Sequence, residues 1–360
     1  MDNVYELYRV EGVPTLQNRV YDTFLEALNS PTGNITLVQD PVSGLVYNKD
    51  FDPNAVIYDR NYNNEQAISD VFKLHLEGVA NIVIRNLGKK KIVEIGCGKG
   101  FFLELMLEKG FDITGYDPSY TGENPRIEKK FYDATIRNNA KGIILRHVLE
   151  HIASPWEFLH TIKSANGGQG LIYIEVPCLD WIIKHNAWFD IFYEHVNYFR
   201  MADFENIFSH IRDSGKLFSG QYLYIVADLA DLADLRQAPK KDINPVVFPK
   251  SFSFNIEGVD ANSYINNENK AVVWGASSKG VIFSLMKKHQ KNISFAVDIN
   301  PAKQGKYLPV TGLLVLSPQQ FMEEFPEISE VYVMNSNYLD EVRKMTGYKY
   351  TYIDIDNKRS

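Results

Sequence analysis

From about residue 68 the chain switches repeatedly between two hydrophobic periods. Val71, Leu74, Leu76, Val79, Ile82, Val83 and Leu87 recur at helical spacing, and Gly88 follows as a stop. The pattern predicts an amphipathic helix closed by a glycine. Short apolar runs at 91–95, 111–117, 142–145 and 170–176 then read as strands, with helical segments at 101–109 and 155–163. Strands alternating with helices mean βαβ units and a mainly parallel sheet. A second block of the same kind begins near 270. Runs at 270–275, 293–298, 312–315 and 330–334 read as strands, and 279–288 as a helix.

The first 70 residues behave differently. Asn, Asp, Pro and Gly recur, as in Asn29-Ser30-Pro31-Thr32-Gly33-Asn34, and the apolar runs at 35–38 and 44–47 are brief. Short strands joined by turns are predicted, forming a cap with no sizeable core of its own. The Pro/Lys/Asp-rich stretch 237–250 reads as a linker. The expected division is therefore a cap at 1–67, a first α/β domain at 68–235, and a linker with a second α/β domain at 236–360.

Composition narrows the functional classes. Of 360 residues, 45% are apolar and 23% charged, which is globular and excludes global disorder. The net charge is −7 and the longest basic run is Lys89-Lys90-Lys91, so a nucleic-acid partner is not expected. No run approaches the ~20 apolar residues of a membrane span. Met1 to Glu6 carries no basic and apolar leader pattern, which predicts a cytoplasmic protein. The two cysteines, Cys97 and Cys178, make neither a disulfide framework nor a CxxC metal pair, and no metal is expected.

The strongest local signal is Glu94-Ile95-Gly96-Cys97-Gly98-Lys99-Gly100, placed where a strand gives way to a helix. Glycines there let the backbone turn tightly and approach a ligand. The helix start offers free N–H groups and a positive dipole end. Asp117 ends the next strand, where a carboxylate can accept from both hydroxyls of a ribose. Such a corner serves nicotinamide dinucleotides and S-adenosylmethionine alike. The spacing here is GxGxG rather than GxGxxG, with Phe101 in place of the last glycine. The acidic Glu94 ahead of the loop favours a cationic cofactor carrying an amino acid. Both features point to S-adenosylmethionine.

EIGCGKGFFLELM, ITGYDPS and RHVLEHI (146–152) resemble successive motifs of class I methyltransferases. The resemblance continues downstream. Residues 189–199, FDIFYEHVNYF, are similar to the FDxIYHEHxSYF segment of sugar C-methyltransferases. VWGASSKG (273–280), VDINPAKQGKYLP (297–309) and MNSNYL (334–339) resemble that family's later motifs. Together they span about residues 55 to 345. The resemblance implies an α/β protein with a class I, Rossmann-like methyltransferase domain, a C-terminal Rossmann-like domain and a small irregular N-terminal cap. The implied cofactor is S-adenosyl-L-methionine, with Glu94, Gly96, Gly98, Gly100, Phe101, Asp117 and Pro118 around it. Arg146 and His147, after the next strand, are expected beside it, and Asp133 near the adenine amino group.

Relatives of this type methylate a carbon of a nucleotide-linked 4-keto-6-deoxysugar bound for a surface polysaccharide or a glycosylated metabolite. A base removes the acidic proton beside the ketone, and the enolate carbon takes the methyl group. By position His195 is the implied base, with Glu194 orienting it or taking part. Tyr193 and Tyr198 are candidate donors to sugar or enolate oxygens. Tyr62, in the polar-aromatic stretch 58–66, is placed over the substrate. Ser277, Ser278 and Lys279 are plausible phosphate contacts. His151 reads as a brace for the helix that follows.

Two departures from the family matter. None of the four cysteines of its N-terminal zinc module is present. The family commonly writes Tyr and His three and two positions before its base, where this chain has Phe192 and Tyr193. O-methylation of a sugar-like hydroxyl therefore stays open as an alternative, as does a non-catalytic relative that binds a nucleotide-sugar.

Overall fold

The computed structural model describes residues 5–56, 65, 67–234, 243, 245–252, 270–288 and 292–356. Tyr62, and with it Tyr58, Asn61, Asn63 and Gln66, lies outside the described residues.

The N-terminal segment is more regular than its turn-rich sequence predicts. Strands β1 (Glu6–Pro14), β2 (Thr32–Gln39) and β3 (Val46–Asn48) form an antiparallel meander, and Asn197–Tyr198 adds a fourth strand beside β3. Helix α1 (Phe24–Leu28) begins at a capping box made by Thr23 and Glu26. The sheet's apolar face, including Tyr8, Val10, Ile35, Leu37 and Val46, joins the core of the rest of the chain. Part of the stretch read as a linker completes this packing. Tyr8 meets Phe248 and Phe252, and the Val246 N–H donates to Gln39 Oε1 at 3.0 Å.

Helix α2 (Asp70–Leu87) buries Phe72, Leu76, Val79, Val83 and Leu87 on one stripe, capped by Ser69 and ended by Gly88. It leads into β4 (Ile92–Ile95), α3 (Phe101–Glu108), β5 (Ile113–Tyr116), β6 (Ile127–Glu128), β7 (Gly142–Arg146), α4 (Pro155–Ala165) and β8 (Leu171–Pro177). After α5 (Leu179–Lys184), β9 (Asn197–Tyr198) and α6 (Met201–Ile207), the hairpin β10 (Ile211–Leu217) and β11 (Tyr222–Asp228) closes the sheet. The order is β6-β5-β4-β7-β8-β11-β10, with β11 antiparallel to β8. This is the class I methyltransferase arrangement, as expected from the sequence motifs.

The second block forms a five-stranded, all-parallel sheet in the order β14-β13-β12-β15-β16. Its strands are β12 (Ala271–Trp274), β13 (Ile293–Val297), β14 (Val315–Leu316), β15 (Glu330–Val333) and β16 (Thr351–Asp354). Helices α7 (Ser278–Lys287), α8 (Pro318–Glu324) and α9 (Leu339–Met345) connect them. Strand order reverses between β4 and β7 in one sheet and between β12 and β15 in the other. Open α/β sheets bind ligands outside the strand C-termini at such points. Here the two points face one another.

Candidate active site

The space between them is a cleft of about 240 Å³. His147, Glu150 and His151 reach it after β7, and Phe192 and His195 from the loop before β9. Gly275 to Gly280 reach it after β12, and Asp298 and Asn300 after β13. Asn18 of the cap contributes as well. Its amide nitrogen donates to Ser278 Oγ at 3.0 Å, and its Oδ1 accepts from the Ser278 N–H at 3.3 Å. All three parts of the chain therefore build one site.

The glycine loop after β4 has the conformation its spacing implies. Gly96, Gly98 and Gly100 all have positive φ. A Cβ on Gly96 would strike Val148, whereas a Cβ on Gly98 would meet only open space. Asp117 Oδ2 accepts from the Gly98 N–H at 2.8 Å, so the acidic residue and the loop form one unit. Glu94 is 2% exposed, and its Oε2 has no hydrogen-bond partner among the described residues. Burial pushes this carboxyl up to about 7, Arg146 opposes the rise, and Asp117 adds to it. A buried carboxylate oxygen without a partner costs free energy until a donor reaches it. A ligand that brings a cation and a ribose diol suits this corner.

Arg146 lies over the Phe102 ring at 4.5 Å and donates from Nε to Glu175 Oε2 at 3.1 Å. Phe101, expected at the cofactor, turns the other way. It is 40% exposed and lines a shallow hollow with Lys73, Leu76 and Glu77 of α2. The first residue of α3 points outward, and it is the second that packs inward. Pro118 is exposed beside Asp117, and Asp133, also exposed, accepts from the Thr135 N–H at 2.7 Å in a local turn.

His147 has a left-handed backbone, φ 52°. Its Nδ1 faces Glu150 at 3.3 Å and its Nε2 faces Glu175 at 3.4 Å. Burial works against its charge, but the two carboxylates raise the imidazole to about 9. Glu175 is the hub of this network. It also accepts from Tyr173 at 2.9 Å and meets His75 Nε2 at 2.9 Å. Burial opposes its ionisation, yet Arg146, His147 and His75 hold it well below the usual carboxylate range. Sequence reasoning missed Glu175 and His75. The available signal was a carboxylate in the otherwise apolar run Leu171–Pro177.

His195 is 8% exposed, 4.9 Å from the His151 ring and 3.8 Å from the Phe192 ring. Burial drives its pKa well below the ordinary histidine value, and His151 and His147 add to the fall. It is therefore neutral at neutral pH, with its Nδ1 unpartnered among the described residues. Glu194 stands behind it, its Oε2 accepting from the Gln17 N–H at 2.8 Å.

The two tyrosines do not reach the cleft. The Tyr193 hydroxyl accepts from the Asp52 N–H at 2.9 Å, and the ring packs against Gly33 and Phe51 of the cap. Tyr193 and Glu194 form a turn, closed by the His195 N–H donating to the Phe192 carbonyl at 3.2 Å, so a tyrosine two before an inward histidine does not share its direction. The Tyr198 hydroxyl accepts from the Phe192 N–H at 3.2 Å and donates to the Phe192 carbonyl at 3.1 Å. It braces the loop that carries His195.

Across the cleft, Lys279 pairs with Asp190 at 2.9 Å and donates to Gln221 Oε1 at 3.2 Å, linking the two α/β domains. Burial opposes its charge, and Asp190 and Asp356 outweigh that effect. Ser277 Oγ accepts from Lys303 Nζ at 2.6 Å. Lys303 was not expected here; it is wholly buried, and burial lowers its pKa.

Two family matches emerge from comparison with known proteins. Residues 64–211 match the methyltransferase-domain family, and 261–351 match the family of C-methyltransferase C-terminal domains. The C-methyltransferase NovU of Streptomyces niveus is 23% identical over 292 residues, spanning 70% of this chain and 69% of its own. Among solved structures, a SAM-dependent methyltransferase from Archaeoglobus fulgidus aligns with a TM-score of 0.33 and 20% identity, over 44% of this chain and all of its own. The Burkholderia thailandensis 1,6-didemethyltoxoflavin-N1-methyltransferase, solved with S-adenosylhomocysteine, aligns with a TM-score of 0.35 and 14% identity, over 51% of this chain and 95% of its own.

Proposed function

We propose that this chain, an S-adenosylmethionine-dependent methyltransferase, methylates a carbon of a nucleotide-activated 4-keto-6-deoxysugar, with His195 as the base. The observation that carries this reading is a buried, neutral imidazole on one wall of a cleft whose other wall is the Gly275–Gly280 turn. A neutral imidazole can take the proton beside the ketone. Lys279, Ser277 and Ser278 supply donors suited to the phosphates. Glu94, Gly98, Asp117 and Arg146 are the residues that would hold the cofactor, which supplies a methyl group already made electrophilic by its sulfonium. The chain must then align the reactants and keep the enolate from water.

One observation favours a second reading. Phe192 lines the cleft where relatives commonly carry tyrosine, and the hydroxyls of Tyr193 and Tyr198 are engaged elsewhere. Without the phenol that relatives place at position 192, His195 would instead deprotonate a hydroxyl for O-methylation.

Proton NMR in D2O separates the two. Nucleotide-linked 4-keto-6-deoxysugars are incubated with the enzyme and S-adenosylhomocysteine, without a methyl donor. Enzyme-dependent loss of a C–H signal beside the ketone is expected. No exchange across a panel of such sugars, with cofactor binding confirmed, would replace C-methylation by the O-methyl reading.

A further inference from the structure

On the methyltransferase wall of the cleft, three ligating side chains converge in a way that proton abstraction does not require. Glu150 and His151 come from the turn after β7, and His195 from the loop before β9. One ligating atom from each lies within 4.8 Å of the others. Glu150 is 1% exposed, and its Oε2 has no hydrogen-bond partner among the described residues; its Oε1 faces His147 Nδ1 at 3.3 Å. His195 Nδ1 is also unpartnered there. His151 donates its Nδ1–H to the Glu194 carbonyl at 2.8 Å, which puts the lone pair of the neutral ring on Nε2. An imidazole held by one nitrogen on a backbone carbonyl, with the other nitrogen bare, is how metal-ligating histidines are oriented.

We propose that Glu150, His151 and His195 form a site for one divalent cation of the zinc class. Two imidazoles and a carboxylate suit zinc and its transition-metal neighbours, whereas magnesium and calcium seek oxygen ligands. Three protein ligands leave a position open toward the cleft. Metal–ligand bonds of ~2.0–2.2 Å put tetrahedral donors about 3.4 Å apart, so the three ligating atoms, which lie within 4.8 Å of one another, draw together as the cation binds. The cation occupies the lone pair of His195. Its binding therefore excludes the base, a consequence that rests on the proposed function; the site itself does not.

The test is a titration of the full-length protein after chelation and dialysis. Co2+ is followed by its visible absorption, Zn2+ by calorimetry, with Mg2+ as the comparison. One Co2+ or Zn2+ per chain is expected at micromolar or tighter affinity, with no Mg2+ bound. Glu150→Gln, His151→Gln and His195→Asn should each weaken binding at least tenfold. The exposed His210→Gln should leave it unchanged, and S-adenosylhomocysteine binding checks that each variant is folded. Wild-type protein that binds no Co2+ overturns the site, as does one-to-one binding that survives all three substitutions. In the deuterium-exchange assay zinc should suppress exchange in proportion to occupancy, and chelation should restore it. Exchange that rises with occupancy would overturn His195 as the base and leave the cation site standing. Absence of binding would remove the site and leave the base untouched.

Discussion

Replacing Glu94 with glutamine should stabilise the ligand-free protein while weakening its hold on the cofactor. The carboxyl is buried at the end of β4, and burial raises its pKa from 4.5 to about 7. A carboxyl that is harder to ionise in the folded chain than in the unfolded one opposes folding once it must be charged. The penalty is absent below about pH 4.5, grows as the pH rises toward 7, and is complete above it. At ~1.4 kcal/mol per pH unit it reaches about 3 kcal/mol. Glu94→Gln removes it, and a domain of this size gains roughly 2–4 °C in melting temperature per kcal/mol. Thermal unfolding followed by circular dichroism should therefore show the variant roughly 6–12 °C more stable at pH 8, converging on wild type near pH 4.5. Calorimetry with S-adenosylhomocysteine should show affinity reduced at least tenfold at pH 8. Wild-type affinity should itself fall as the pH drops through 7, because binding to the carboxylate competes with its proton. A variant less stable than wild type at pH 8, or a difference independent of pH, would refute the reasoning. Unchanged affinity would remove Glu94 from the cofactor site.

Three further outcomes follow from the geometry. His195→Ala should lower turnover by ~100-fold or more with S-adenosylhomocysteine binding retained, since general-base catalysis is worth that much; steady-state kinetics and calorimetry check it together. Tyr193→Phe should leave turnover within about threefold of wild type and cost about 1 kcal/mol of stability, measured by thermal unfolding, because its hydroxyl binds cap backbone, accepting from the Asp52 N–H and donating to the Asp50 carbonyl. Lys279→Met should raise the KM for the nucleotide-sugar at least tenfold with a smaller effect on kcat. It should also lower the melting temperature, because Asp190 loses its partner at the domain boundary.

What the sequence disclosed depended on how far each interaction reaches along the chain. The parallel strands and the glycine corner are local. Strand period, helix start and the 21 positions from Gly96 to Asp117 lie within one βαβ unit, and Asp117 bonds the Gly98 N–H as that spacing implies. The cap was harder. Tyr8 of β1 finds its ring partners in Phe248 and Phe252, more than two hundred residues away, so the segment read as turns without a core. The direction of the two tyrosines was hidden for the same reason. A hydroxyl beside His195 in sequence suggests chemistry, but distant backbone decides its fate: Asp52 holds Tyr193, and the Phe192 backbone holds Tyr198. Glu175 inverts the lesson. A lone carboxylate inside an apolar strand is costly to bury, so its presence alone announces cationic partners. Arg146, His147 and His75 are those partners. The network fixes the charge of His147, and that charge in turn helps to keep His195, 48 positions further on, neutral. Two histidines on one cleft are thus kept in opposite protonation states by what surrounds them, and that division suits His195 to the proposed role of base while His147 remains a fixed cation.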